Sequence, residues 1–349
     1  MMNRTLSIAT APLPLAQPVG VRGLAACALT TDVEAANQPI RPLELVFRSR
    51  DALHAGLRRH LLPLDCSVAD PQSFQCHAVV ASLGGNTVAE LRVDAARLVR
   101  RTVDIDDADG DLVQIVWQLA GRSRVRQGPH QATLDAGTWA VCDPGREYAI
   151  EFDRGARVLT LLMPRAQCPG WLPALGLLAA RALPSRGPAH IAMAVLAAML
   201  RDEALLDAQS DATLHDSIVA LVERALAIEL AARGLEAQAA RTIQLAQVQA
   251  YIIDHLADPG LNVGRVASVF GVSRRSLYNL FEPSGATPHA HIQGAKLDRA
   301  CDLLNQPAAR RQAVAGIARQ CGFADPAHFS RAFHARHGVA PTAWRDKVQ

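Results

Sequence analysis

The chain has no CxxC pair. Its seven cysteines, at positions 27, 66, 76, 142, 168, 301 and 321, are an odd and scattered set. That excludes a disulfide framework and a cysteine zinc site, and it fits a reducing cytoplasm. No uninterrupted apolar run reaches about 18 residues, so no membrane span is expected. A large net charge is also lacking: the balance is +3 over 349 residues. The charge is unevenly placed, however. From Glu236 to Gln349 there are 13 Lys/Arg against 8 Asp/Glu, and the remainder has 23 against 25. A polyanion partner is expected for the C-terminal third alone.

Metal-ligating patterns are equally thin. His130 stands alone in a turn, and His77 lies far upstream. The one HxH, His289 and His291, falls in the C-terminal third, where it reads as capping or solvated. His328 and His334 sit on different faces of one helix, so no metal is expected. The acidic run DIDDADGD (104–111) fails as a calcium loop: with Gly110 at position 6, Ile105 takes position 1 and Val116 position 12. Asp109–Gly110 reads as a hairpin turn.

What the chain does contain is ordered in blocks. The length suggests about two domains. Prolines at 12, 14 and 18 break any signal-peptide core, so residues 1–30 are expected to form a flexible tail. Residues 31–170 hold short β-rich runs, such as FQCHAVVASLG and LVQIVWQLAG, punctuated by Gly, Pro and Asp; that rhythm predicts a small barrel or sandwich. Residues 171–235 are Ala/Leu-rich and helical. Within them Leu214, Ile218, Leu221, Ala225 and Ile228 step by four and three, the spacing of a coiled-coil seam, and mark a dimerisation helix. Val219, Val222 and Leu226 widen the stripe, which also suits a helix packed on its own domain.

Residues 236–349 repeat a pattern. VASVFGVSRRSLYNLF (266–281) and IARQCGFADPAHFSRAF (317–333) both carry Ala-x-x-x-Gly, an apolar residue, a polar helix start and then apolar residues. Ala lets two helices approach, and Gly ends the first in a left-handed backbone. Val272 or Phe323 plugs the corner. Ser273 caps the next helix in one copy; Asp325, followed by Pro326, does so in the other. Each copy is a helix-turn-helix, whose second helix enters the DNA major groove. Aromatics are few, only eight Phe in all, and three of them (Phe323, Phe329, Phe333) fall here as core. The segment HIQGAKLDRACDLL joins the copies as a helix. Units held about 34 Å apart would read adjacent groove segments from one chain.

These motifs, with KLDRACDLL and VAPTAWR, resemble the DNA-binding domain of the AraC/XylS family of transcription regulators. Lys296 departs from that pattern, standing where the family usually carries Arg. The resemblance implies an all-α double helix-turn-helix over 236–349 with Ser273, Arg274, Arg275, Tyr278 and Asn279 exposed in the first recognition helix. In the second it implies Asp325, Ala327, Ser330 and Arg331. Arg275 and Asn279, one turn apart, suit guanine and adenine edges, and Arg274 also suits a phosphate. The β-rich half resembles the family's AraC-binding-like, cupin-like sensor domain through VWQLAGRSRVRQ, ATLDAGTWAVCDPGREYAIEF and LTLLMPR. This implies a small organic effector in the barrel, with Trp117, Gln118, Arg122, Trp139 and Tyr148 as its candidate contacts.

The resulting expectation is a cytoplasmic, non-enzymatic, homodimeric transcriptional activator without cofactor, acting on promoter DNA and RNA polymerase. The rival readings are a DNA-alkylation repair protein, which needs an activated Cys, and a cupin-type enzyme carrying a DNA-binding tail.

Overall fold

The computed structural model describes residues 42–104, 111–168, 170–201, 208–306 and 312–347. The expected N-terminal tail, Cys27 and the turn at Asp109–Gly110 lie outside them.

β1 (Leu43–Phe47) leads to α1 (Arg50–His60), capped by Ser49, whose Oγ accepts from the Ala52 N–H at 3.2 Å. Leu53 and Leu57, one turn apart, form the buried face of α1. There follow β2 (Asp65–Val68), β3 (Cys76–Leu83), β4 (Asn86–Val93), β5 (Ala96–Arg100) and β6 (Leu112–Ala120). β7 (Arg122–Gln127), β8 (His130–Asp135), β9 (Thr138–Cys142), β10 (Tyr148–Phe152), β11 (Ala156–Pro164) and the short β12 (Leu183–Pro184) complete the β region. Gly84 and Gly85, both at positive φ, make the two-residue turn between β3 and β4.

The strands pair antiparallel into two sheets, β1-β3-β4-β11-β6-β9-β12 and β2-β5-β10-β7-β8. Neither closes on itself among the described residues. The cupin-like half expected as a small barrel or sandwich is two facing sheets. Val80, Leu91, Val116, Val158 and Leu162 of the larger sheet meet Leu98, Val125, Tyr148 and Ile150 of the smaller one in the core between them.

The larger sheet is buried on its other face too. Ile115, Trp117, Trp139, Leu159 and Leu161 point there, into a second core built with α2 (Pro188–Met199) and α3 (Ala208–Ala232). This is why β11 reads as a continuous apolar run, not as an alternation. It also reassigns the stripe expected as a dimer seam. Ile218 and Ala225 are buried in this core, Leu214 and Leu221 pack against it, and Ile228 is half-buried. The stripe is wide because α3 lies on a sheet: Val222 and Leu226 are buried beside it. The segment expected as helical, 171–235, thus packs into the core of the β-rich half.

The remaining helices are α4 (Glu236–Asp254), α5 (Val263–Val269), α6 (Arg274–Phe281), α7 (Pro288–Asn305), α8 (Val314–Gln320), α9 (Pro326–His337) and α10 (Pro341–Lys347). They form two small cores. Val248 and Ile252 of α4 join Val266, Ala267, Leu277, Leu280, Phe281 and Ile292 in the first. Leu297, Ala300 and Leu304 of α7 join Ile317, Ala318, Phe323, Phe329 and Phe333 in the second. α4 belongs to two cores, since Ala239 is buried in the β-rich half and Ile243 packs beside it. α4 starts at the boundary expected after residue 235, and its first turns still pack on the β-rich half.

Candidate functional site

α5–α6 and α8–α9 are the two helix-turn-helix units. In the first, Gly271 takes φ +62 and Val272 packs into the corner. Ser273 caps α6, its Oγ accepting from the Ser276 N–H at 3.0 Å. In the second, Gly322 takes φ +72 and Phe323 is buried at the corner. Asp325 caps α9, accepting from the N–H groups of Ala327 at 2.8 Å and His328 at 3.2 Å. Such caps are each worth ~1 kcal/mol.

Opposite the buried Leu277, Leu280 and Phe281, α6 exposes Arg274, Arg275, Tyr278 and Asn279. Arg275, Tyr278 and the Asn279 side chain project from the helix. Arg274 instead lies back along α5, beside Gly264. α9 exposes Ala327 and Arg331. The Asp325 carboxylate is occupied by capping, and the Ser330 hydroxyl donates to the Pro326 carbonyl at 3.0 Å. Arg331 is 74% exposed and 4.0 Å from Asp325, a contact of small energetic weight. The second unit thus offers fewer uncommitted polar groups than the first.

A residue outside these motifs also contacts α6. Arg241 of α4 donates through Nη2 to the backbone carbonyl of Asn279 at 3.1 Å. An isolated Arg on a long helix gives no sequence signal for that contact. His291, expected to cap or be solvated, is half-buried with its ring 5.5 Å from that of Phe281. Burial lowers its pKa, with Asp298 opposing. The folded state then takes up the proton less readily than the unfolded chain. Stability is expected to fall as pH drops below about 6.5. Urea unfolding of wild type and His291→Gln between pH 7.5 and 5 checks this: the variant is expected to lose part of the acid sensitivity.

The five effector candidates separate. Trp117 and Trp139 stack at 6.0 Å in the helix-facing core, away from the space between the sheets. Gln118 is buried as a structural bridge, accepting from Ser123 Oγ at 2.6 Å and donating to the Ala120 carbonyl at 2.8 Å. Arg122 is exposed and bonded to Asp135 at 2.7 Å. Only Tyr148 borders a sizeable cleft, of about 710 Å³. The gap between the sheets is about 20 Å³, room for about one water molecule. Alternation along β6 and β9 gave two possible faces for each Trp, and both faces are buried.

Burial raises the described thiols: Cys76, Cys142 and Cys168 to about 12, Cys321 to about 11, and Cys66 and Cys301 in the same direction. Among the described residues no three His, Cys, Asp or Glu gather as metal ligands, and no helix is long and apolar enough to cross a membrane.

Comparison with known proteins agrees with this layout. The AraC-binding-like domain family model matches residues 53–227, and a helix-turn-helix domain model matches residues 266–347. The transcriptional activator NphR of Rhodococcus sp is 27% identical over 261 residues, 74% of this chain and 77% of that protein. The HTH-type transcriptional activator RhaS of Shigella boydii is 37% identical over 93 residues, 26% of this chain and 32% of that protein. The crystal structure of the AraC-like transcriptional activator CuxR aligns with a TM-score of 0.48 at 15% identity, covering 80% of this chain and 99% of that one. The sensor-domain match extends into α3, as the shared core requires. With two facing sheets ahead of two capped helix-turn-helix units, the chain belongs to the AraC/XylS family and is a DNA-binding transcription regulator.

Proposed function

We propose that the chain is an effector-controlled transcriptional activator that reads two adjacent major-groove segments of a promoter, α6 at one and α9 at the other. The exposed Arg275 and Asn279 on a capped helix, opposite a buried apolar face, carry this reading. Residues 236–349 act as the DNA-binding half, and the sensor half holds a small organic effector. The partners in this reading are promoter DNA, RNA polymerase, the effector and a second copy of the chain. The activating sign follows the relatives named as activators. The effector acts only through its differential affinity for the DNA-competent arrangement.

The repair reading needs a thiolate, and every described thiol is shifted away from ionisation, chiefly by burial. The non-enzymatic reading is the better supported one for that reason.

Pull-down of genomic fragments at fixed salt, followed by sequencing, tests the proposal. Wild type is expected to enrich a motif of two blocks about ten base pairs apart. Arg275→Ala is expected to relax one position of the first block at ~1–3 kcal/mol, and the Arg275→Ala/Arg331→Ala double variant to relax one position in each block. Arg274→Ala should weaken binding evenly across sequences and flatten its salt dependence. Absence of any enriched motif, with cell extract supplied as an effector source, would refute sequence-specific reading.

A further inference from the structure

The cleft bordered by Tyr148 lies at one end of the stacked sheets. The ends of β5, β7 and β10 and the turn before β10 enclose it, with Gly176 and Ala179 as its far wall. Its charge is one-sided. Arg126 and Arg146 stand at the rim with His130 between the strands, and the two lining carboxylates are both occupied. Asp143 is bonded to Arg165 and lies 3.5 Å from Arg146. Glu147 accepts from the Thr102 N–H at 3.1 Å and its hydroxyl at 2.9 Å, which holds its carboxyl below the usual range. The Arg126 side chain has no ion pair or hydrogen bond among the described residues.

Behind His130, outside the cleft lining, stands Arg181. Arg181 Nη2 donates to His130 Nε2 at 3.0 Å. The Arg181 Nε is buried with no acceptor among the described residues, and no carboxylate pairs with this guanidinium there. A half-buried guanidinium with an unmet N–H is costly to keep. The backbone that delivers it is strained as well. Ala180 is fully buried at φ +52, a left-handed conformation costing a non-glycine residue ~1–2 kcal/mol. The Ala180 N–H, bonded to the Val141 carbonyl at 2.9 Å, holds it there. Strain of this kind persists where the surrounding structure imposes a particular placement.

The far wall leads on to the DNA-binding half. Residues 172–177, which supply Gly176, pack against α4. One end of α4 is buried in the sensor core through Ala239, and the other in the first helix-turn-helix core through Val248 and Ile252. Between them Arg241 holds the Asn279 carbonyl of α6. A rigid 19-residue helix, about 28 Å long, connects the cleft wall to the recognition helix.

We propose that this cleft is the effector site, that its ligand is a small organic carboxylate held by Arg126, Arg146 and His130, with Arg181 positioning His130 from behind, and that α4 transmits its occupancy to α6. The proposal rests on the effector-controlled reading above and gives it a place and a ligand class. The planar guanidinium fork fits a carboxylate. Val99, Pro129, Tyr148 and Ala149 leave apolar wall for an organic body, which inorganic phosphate lacks.

The test uses the full chain. Thermal shift is measured with benzoate, phenylacetate, hexanoate and succinate, with the amide of each, and with inorganic phosphate. Affinity for the enriched operator is measured in parallel. At least one carboxylate is expected to raise Tm and change operator affinity, while its amide and phosphate do neither. Arg126→Gln and Arg181→Gln are each expected to weaken that binding at least tenfold. The exposed Arg126 variant decides the matter if Arg181→Gln folds poorly. Arg241→Ala is expected to keep the ligand shift and lose its effect on DNA. The proposed site is overturned if no carboxylate binds, if phosphate shifts Tm equally, or if binding survives both variants. An amide that binds and alters operator affinity overturns the anion class and leaves effector control standing. A carboxylate that binds through Arg126 without altering operator affinity overturns effector control and the α4 link together.

Discussion

Replacing Gly322 with alanine is expected to destabilise the DNA-binding half by about 3–4 kcal/mol, whereas the same change at Gly271 should cost about 1 kcal/mol. The two glycines hold the same place in the repeat, at φ +72 and φ +62. A Cβ on Gly271 meets nothing within 4 Å. On Gly322 it would lie 2.2 Å from the Leu256 carbonyl oxygen and 3.2 Å from that of Asp258. Both are backbone atoms and cannot swing aside. The difference arises because the second unit's turn rests on the loop that follows α4, at Leu256 and Asp258, in the first unit. Lys296 of α7 completes that junction: it is 5% exposed, donates to the Gly322 carbonyl at 2.8 Å and lies 5.8 Å from the Phe323 ring centre. Burial lowers its pKa, with Asp258 opposing. Urea unfolding of both variants checks the energies. Operator binding should show Gly271→Ala retaining both blocks and Gly322→Ala losing the second. Equal, small losses at the two positions would mean that the turn does not bear on the loop after α4.

This junction shows where sequence reasoning stops. The caps, the turn glycines and the corner plugs were legible because each is set by its nearest neighbours: Ser273 by the Ser276 N–H, Asp325 by Ala327 and His328. Lys296 was visible only as a departure from a pattern, because its acceptor lies 26 residues further on. The heptad stripe of α3 was legible as an apolar face, but periodicity does not say whether a second copy or the chain's own sheet covers it. The change of composition near residue 235 marks the start of α4, while the change of core occurs inside that helix. Arg181 and His130 are 51 residues apart, so the cationic end of the cleft exists only once the sheets are stacked.

The same limit governs the two tryptophans, and Trp117→Ala is expected to cost ~3–5 kcal/mol. Both rings are fully buried and stack with an interplanar angle of 20° across the Trp117–Trp139 pair of β6 and β9. They face α2 and α3, so removing one opens a cavity beneath the helical layer. A Tm loss of roughly 10 °C follows for a unit of this size. Phenylalanine separates packing from polarity. The Trp117 Nε1 has no partner among the described residues, and an unmet buried donor costs ~1–3 kcal/mol. Trp117→Phe gives up volume and removes that donor, so its net change should stay within about 1 kcal/mol. The Trp139 Nε1 donates to the Pro184 carbonyl at 3.2 Å and ties β12 to the sheet. Trp139→Phe should therefore cost about 1 kcal/mol more than Trp117→Phe. Thermal unfolding of the three variants gives the order. If Trp117→Ala instead kept the wild-type Tm and lost only the response to effector, Trp117 would be a wall of the ligand site and the helix-facing core would be misassigned.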